Sequence, residues 1–140
     1  MTAPARLGLV ILAVDDLAET VRFYRDAFGW ATTVEVPVYV ELELPEGMAL
    51  GLYEREAFGR NTSQVPAPTP PGALAPVELY LSVDDLPGCV DRVRAAGGRL
   101  LSDPAPRDWG DEVAYFADPA GNVVAVARRS QAPNRSSSTP

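Results

Sequence analysis

The chain contains no histidine and no lysine, and all 12 of its basic residues are arginine. Without histidine there is no imidazole general base, no Ser-His nucleophile pair and no metal site of the kind that needs a ring nitrogen. Without lysine there is no Schiff-base chemistry on this chain. A single cysteine, Cys89, leaves no internal disulfide. Its place on a predicted helix reads as a packed small hydrophobe rather than a reactive thiol. No run of about 18 apolar residues occurs, so no transmembrane helix and no membrane partner are expected. Residues Met1 to Arg6 lead straight into a strand without a signal-peptide pattern, which points to a cytoplasmic location. Positive charge is scarce: the net charge is -7. Phosphate binding needs a basic surface, so nucleic acid is disfavoured as a partner. A cationic ligand is compatible with that balance.

What the chain does have is a stretch that occurs twice. Residues 10–17 read V-I-L-A-V-D-D-L and residues 79–86 read L-Y-L-S-V-D-D-L, an offset of 69 residues. Each copy is an apolar strand running into Val-Asp-Asp-Leu and then a helix. Asp16 is a good N-cap, and Glu19 three residues on completes a capping box, so the first helix starts at Leu17. Leu17, Val21, Tyr24 and Phe28 recur on one helical face, and Gly29 ends the helix in a left-handed conformation. Asp85 caps the second helix, Pro87 lies in its tolerated first turn, and Gly97-Gly98 stops it. Capping and turn formation account for Asp15, Asp16, Asp84 and Asp85, and no catalysis is assigned to them. Asp118 and Asn122 read as turn residues in the same way.

Strands follow each helix. Those of the first half are Ala31 to Val36, Val38 to Leu44 and, after a turn at Pro45 to Gly47, Met48 to Tyr53. In Val38 to Leu44 the residues Val38, Val40, Leu42 and Leu44 share one face, with Tyr39, Glu41 and Glu43 on the other. The second half begins with the strand Val77 to Val83. After its helix come Arg99 to Leu101, a loop over Asp103 to Gly110, then Glu112 to Ala117 and Val123 to Arg128. The fold class is therefore α+β, built from two βαβββ modules with helices outside curved mixed sheets. Residues 1–56 form the first module, 57–76 a Pro-rich crossover, 77–129 the second module and 130–140 a disordered tail. The crossover carries Pro66, Pro68, Pro70, Pro71 and Pro76, which block helix and sheet. It can also serve as a lid anchored by Phe58.

Alternation divides each first strand into two faces. Val10, Leu12 and Val14 should meet the helix, leaving Leu9, Ile11 and Ala13 on the other side. The matching free face of the second copy is Glu78, Tyr80 and Ser82. Two sheets curving together would enclose a ligand cleft between these free faces.

The segments L-V-I-L-A-V-D-D-L-A-E-T-V-R-F-Y-R-D-A-F-G-W, V-D-D-L-P-G-C-V-D-R-V-R-A-A-G-G and Y-F-A-D-P-A-G-N-V-V-A-V resemble the vicinal oxygen chelate superfamily. That group holds glyoxalase I, extradiol dioxygenases, fosfomycin-resistance enzymes and bleomycin-resistance binding proteins. The resemblance runs from about residue 6 to residue 129. It implies the fold; one fold hosts several chemistries, so it does not imply one reaction. The metal enzymes of the group place four ligands, usually His or Glu, on the cavity side of the sheets. By the resemblance those positions are Leu9, Gly51, Glu78 and Ala125, of which only Glu78 can bind a metal. One carboxylate does not make a divalent site. No metal and no other cofactor is therefore expected.

In place of the metal the resemblance implies an apolar cavity. Small residues (Ala13, Ala49, Gly51, Ala125) and apolar ones (Leu9, Ile11) would form it, and Tyr39, Tyr53, Tyr80 and Tyr115 would line it. Trp30 or Trp109 would close its mouth. The plain alternative is close packing for the small residues, and core or interface for the tyrosines. Catalytic residues are unknown. Glu78 is a weak candidate: in an apolar cleft it would pair with a cation or act as a general base, and otherwise it is an exposed carboxylate at a strand start. The leading expectation is a small-molecule-binding protein of the antibiotic-resistance, drug-sequestering kind, taking an aromatic or cationic ligand as a homodimer. The alternatives are a glyoxalase- or dioxygenase-like enzyme and a metabolite-sensing module for a protein partner.

Overall fold

The computed structural model describes residues 2–129. The expected tail at 130–140 lies outside them. The first module runs β1 (Leu9–Val14), α1 (Leu17–Phe28), β2 (Ala31–Val36), β3 (Tyr39–Glu43), a 3-10 turn at Pro45–Gly47 and β4 (Ala49–Glu54). A short helix α2 (Arg55–Thr62) and an extended crossover lead to the second module, with β5 (Glu78–Ser82), α3 (Leu86–Ala95), β6 (Arg99–Pro106), β7 (Asp111–Ala117) and β8 (Val123–Arg129). The two sheets have the same order, β1-β4-β3-β2 and β5-β8-β7-β6. In each, the first strand pairs parallel with the last, and the remaining pairs are antiparallel. The α+β class with two βαβββ modules and mixed sheets is therefore what the chain adopts.

The repeated aspartates do what their spacing implies. Asp16 Oδ1 accepts from the Glu19 amide at 3.0 Å, and Asp85 Oδ1 accepts from the Gly88 amide at 3.0 Å. Gly29, at φ 70°, ends α1 with its amide on the Arg25 carbonyl, the left-handed stop that a Cβ would strain.

One face of each sheet carries a helix, and α1 and α3 pack on each other. A single apolar core results, drawing Leu12, Val14, Phe23 and Tyr24 from the first module and Val90, Val93, Phe116 and Val126 from the second. Tyr24 ties the modules further. Its hydroxyl, fully buried on α1, donates to Asp118 Oδ2 at 2.6 Å in the β7–β8 turn. Asp118 is also buried and accepts from the Ala120 and Asn122 amides and from Asn122 Nδ2. Asp118 and Asn122 are thus turn residues, as expected, and Asp118 is in addition the anchor for Tyr24.

Three expectations need correction. The connection from Ala57 onward starts as helix, since α2 occupies residues 55–62 before the prolines begin. Its N-cap Glu54 makes no side-chain cap, and Gly59 within it is a poor helix former, so no local signal announced it. Gly59 is there because the returning chain crosses close by: a Cβ would lie 2.6 Å from Val65 Cγ2 and 2.9 Å from Val65 Cα. Second, residues 103–106 are strand and not loop. They extend β6 on the sheet edge with irregular register, the one place where Pro104 and Pro106 cost no ladder bond. Third, the two modules meet through their helices and not through their free faces: α1 packs on α3, and the helix-side residues of both sheets share one core.

Candidate functional site

The free face of the second sheet is built on small residues. Val113, Ala125 and Ala127 are buried on adjoining strands, in the registers Val113↔Ala127 and Tyr115↔Ala125. Tyr80, Tyr115 and Trp109 pack on that floor as a cluster separate from the main core. Ala125 is small because aromatic rings lie over it. A relay fixes two of the rings: Trp109 Nε1 donates to the Tyr80 hydroxyl at 2.8 Å, and that hydroxyl donates to Asp111 Oδ2 at 2.6 Å. Trp109 comes from the β6–β7 loop and covers this face. Trp30 does not share it. That ring stacks on Phe28 and Tyr24, at centroid distances of 4.9 and 6.0 Å, on the helix side of the first sheet.

Arg107, absent from the expected set, completes the second face. Its guanidinium carbon sits 5.1 Å from the Tyr115 ring centroid. One of its terminal nitrogens donates to Ser102 Oγ, the Asp103 carbonyl and the Val113 carbonyl. The sequence offered no signal for it beyond an arginine in a loop. Burial and the nearby Glu78 carboxylate raise the Tyr115 hydroxyl pKa, and Arg107 acts against them. Glu78 itself stands exposed at the start of β5, not buried in an apolar cleft as the general-base reading required. A cleft of about 400 Å³ opens beside this cluster, lined by Tyr80, Ser82, Val83, Asp84, Asp111, Ala127 and Arg129.

The first sheet has its own aromatic group. Gly51 faces Ile11 on β1 and Glu41 on β3. The space left by its missing side chain is filled, since a Cβ there would meet the Tyr39 hydroxyl at 2.5 Å. Tyr39 donates to Glu41 Oε1 at 2.6 Å. Burial raises the Tyr39 pKa, and the bond to Glu41 adds to the shift. Tyr53 lies 5.0 Å from Tyr39 between centroids, and Phe58 meets Tyr53 edge-on at 5.8 Å. Phe58 therefore braces this face from α2, not from a loose lid. Leu9 and Ala49 pair at its margin. Leu9 and Ile11 are each 37% exposed, and Val36 on the edge strand is 49% exposed, so this side of the sheet meets solvent.

The expected residues thus fall into two groups: Leu9, Ile11, Tyr39, Ala49, Gly51 and Tyr53 on one sheet, and Glu78, Tyr80, Trp109, Tyr115 and Ala125 on the other. The two groups stand on different sheets of the same chain.

A family model described as the Glyoxalase/Bleomycin resistance protein/Dioxygenase superfamily matches residues 6–126. The chain belongs to that superfamily. The "Putative glyoxylase CFP32" of Mycobacterium tuberculosis is 31% identical over 123 residues, covering 84% of this chain and 43% of that protein. The anthracycline biosynthesis protein DnrV of Streptomyces peucetius is 29% identical over 133 residues, covering 91% and 48%. The chain therefore spans less than half the length of these curated relatives. A glyoxalase-related enzyme from Fulvimarina pelagi superposes with a TM-score of 0.78 at 23% identity, covering 89% of this chain and 88% of that one. A lactoylglutathione lyase from Agrobacterium tumefaciens superposes at 0.68 and 24%, covering 90% and 95%.

Membership raises the question of the superfamily's metal. At the four expected ligand positions Leu9, Gly51 and Ala125 offer no donor atom, and Glu78 is exposed. Among the described residues no three His, Cys, Asp or Glu side chains gather at one point. The donor set does not fit a divalent ion, which needs several convergent oxygen or nitrogen ligands. No helix among the described residues is long and apolar enough to cross a membrane.

Proposed function

We propose that this member of the superfamily is a small-molecule-binding protein of the sequestering, bleomycin-resistance type, and that two copies complete its site. The observation that carries the reading is the pair of free faces. Each presents tyrosine rings held by hydrogen bonds over small residues, and neither carries a metal-binding set. Rings fixed in advance lose little entropy on stacking against a flat ligand, which favours its binding.

A single chain leaves both faces open on one side. Opposing the first face of one copy with the second face of another would bury Leu9 and Ile11 and enclose a ligand among five aromatic rings. The curated relatives are long enough to hold two such units in one chain, which supports the pairing. Similarity to an anthracycline biosynthesis protein supports a planar, polycyclic aromatic ligand. A cytoplasmic setting belongs to the same proposal, with the one thiol, Cys89, buried and free of any disulfide.

Light scattering and thermal melting in the presence of daunorubicin test the reading. The expected result is a dimer mass and a melting temperature that rises with ligand. Linkage stabilises the folded state by about 2.7 kcal/mol at a hundredfold excess over Kd. A monomer mass together with an unmoved melting curve overturns the proposal.

A further inference from the structure

The first free face carries a carboxylate whose surroundings are specific. Glu41 sits at the centre of β3, half-buried, with Gly51 and then Ile11 across the ladder. Tyr39 lies over the gap at Gly51 and holds Glu41 Oε1 at 2.6 Å. The Tyr53 ring stands 5.0 Å from that of Tyr39 at an interplanar angle of 55°, on the strand that pairs with β3. The two ion pairs among the described residues are Arg55–Asp15 and Arg128–Glu112, and neither includes Glu41. Glu41 Oε2 has no hydrogen-bond partner among the described residues.

A carboxylate oriented by a tyrosine hydroxyl, next to a tyrosine pair and in neither ion pair, suits a protonated amine. A protonated amine gains a charge-assisted hydrogen bond from the carboxylate and cation–π attraction from the rings. A neutral hydroxyl gains only the first kind of contact, and more weakly. An anion is repelled. We propose that Glu41, positioned by Tyr39 over Gly51, selects ligands that carry a protonated amine. The inference rests on the reading of the free faces as a ligand site.

The test compares daunorubicin, whose amino sugar is cationic at neutral pH, with its N-acetyl derivative, which keeps the rings and loses the charge. Binding of each to the full chain is followed by quenching of the probe's own fluorescence. The native protein should bind the amine at least about tenfold more tightly than the amide. Glu41→Gln should bring the ratio near one by weakening the amine alone. Tyr39→Phe should reduce it by a smaller factor, and Gly51→Ala should do the same by pushing the Tyr39 ring aside. Glu19→Gln makes the same change in net charge at an exposed position of α1, on the helix side of the sheet, and should leave the ratio intact. If Glu41→Gln leaves the ratio unchanged while both probes bind, the amine inference is wrong and the ligand site stands. If neither probe binds the native protein, the site reading fails and this inference with it. Should Glu41→Gln fold poorly, the Tyr39→Phe ratio decides in its place.

Discussion

Replacing Tyr24 by phenylalanine isolates one bond between the two modules. The ring stays, so its edge contact with Phe23 and its stack on Trp30 persist. What is lost is the donation from a fully buried hydroxyl to a buried carboxylate. Bonds to charged groups contribute about 1.5–3 kcal/mol. Here the lower end applies, because Asp118 keeps three other donors and Oδ2 keeps Asn122 Nδ2. Tyr24→Phe should therefore cost about 1.5 kcal/mol near pH 8. The same structure sets the pH dependence. Burial, and then the Asp118 charge, hold the Tyr24 pKa well above its ordinary value. Between the unfolded pKa near 10 and the raised folded value, the unfolded chain loses a proton that the native protein keeps. Stability from this group is complete below pH 10 and falls by about 1.4 kcal/mol per pH unit above it. The variant has no such proton, so its deficit should shrink and vanish near pH 11.

Urea unfolding of both proteins by circular dichroism at pH 8, 10 and 11, at one fixed protein concentration, reads this directly. Tyr39 and Tyr115 also have raised pKa values, but they are common to both proteins and cancel in the difference. A variant as stable as the native protein at pH 8, or a deficit that persists at pH 11, would refute the account of Tyr24.

Other perturbations have expected signs as well. Gly59→Ala usually strengthens a helix interior by about 0.5–1 kcal/mol. In α2 the added methyl meets Val65 Cα at 2.9 Å, so the variant should instead melt lower, by an amount equivalent to about 1–3 kcal/mol. Trp109→Ala uncovers the Val113–Ala125–Ala127 floor and removes a donor from Tyr80. Daunorubicin affinity should fall at least about tenfold while the far-ultraviolet spectrum is kept, as expected of a large aromatic anchor. Ile11→Glu changes a side chain that is 37% exposed in the single chain. Monomer stability should shift by no more than about 0.5 kcal/mol, while light scattering should show loss of the dimer. A variant that stays dimeric would place the interface elsewhere.

The parts of the fold legible in the sequence were those set by local chemistry. Asp16, Asp85 and Gly29 carry capping signals that need no knowledge of the rest of the chain, and each caps or stops its helix as read. The alternation in β3 placed Val40 and Leu42 in the core and Tyr39 and Glu41 on the free face, as found. What was not legible depends on distant segments. Helix α2 is held by Tyr53 through Phe58, and Gly59 is dictated by Val65. Arg107 acquires its role only when β6 and β7 pair. Gly51 looked like room for a ligand because a glycine's own size says nothing about which ring lies over it.

The two copies differ in an informative way. Across the offset of 69, Leu12 and Leu81, Val14 and Val83, and Val21 and Val90 keep their character, and all of these pack in or against one core. Leu9 against Glu78, Ile11 against Tyr80 and Ala13 against Ser82 do not. The divergence is confined to alternate residues of the same strands, those on the face away from the helices. Core packing would act on both faces of a strand only if both were buried within the chain, and here one is not. The free faces have thus been able to become unlike: one carries Glu41 flanked by tyrosines, the other a tryptophan–tyrosine–aspartate relay with Arg107 beside it. Two unlike half-sites on one chain suit an isologous pairing, in which the first face of each copy meets the second face of the other. A two-fold axis then makes two identical composite sites per dimer. Titration of the dimer with daunorubicin should accordingly end at two molecules bound, and an end point of one per dimer would refute that arrangement.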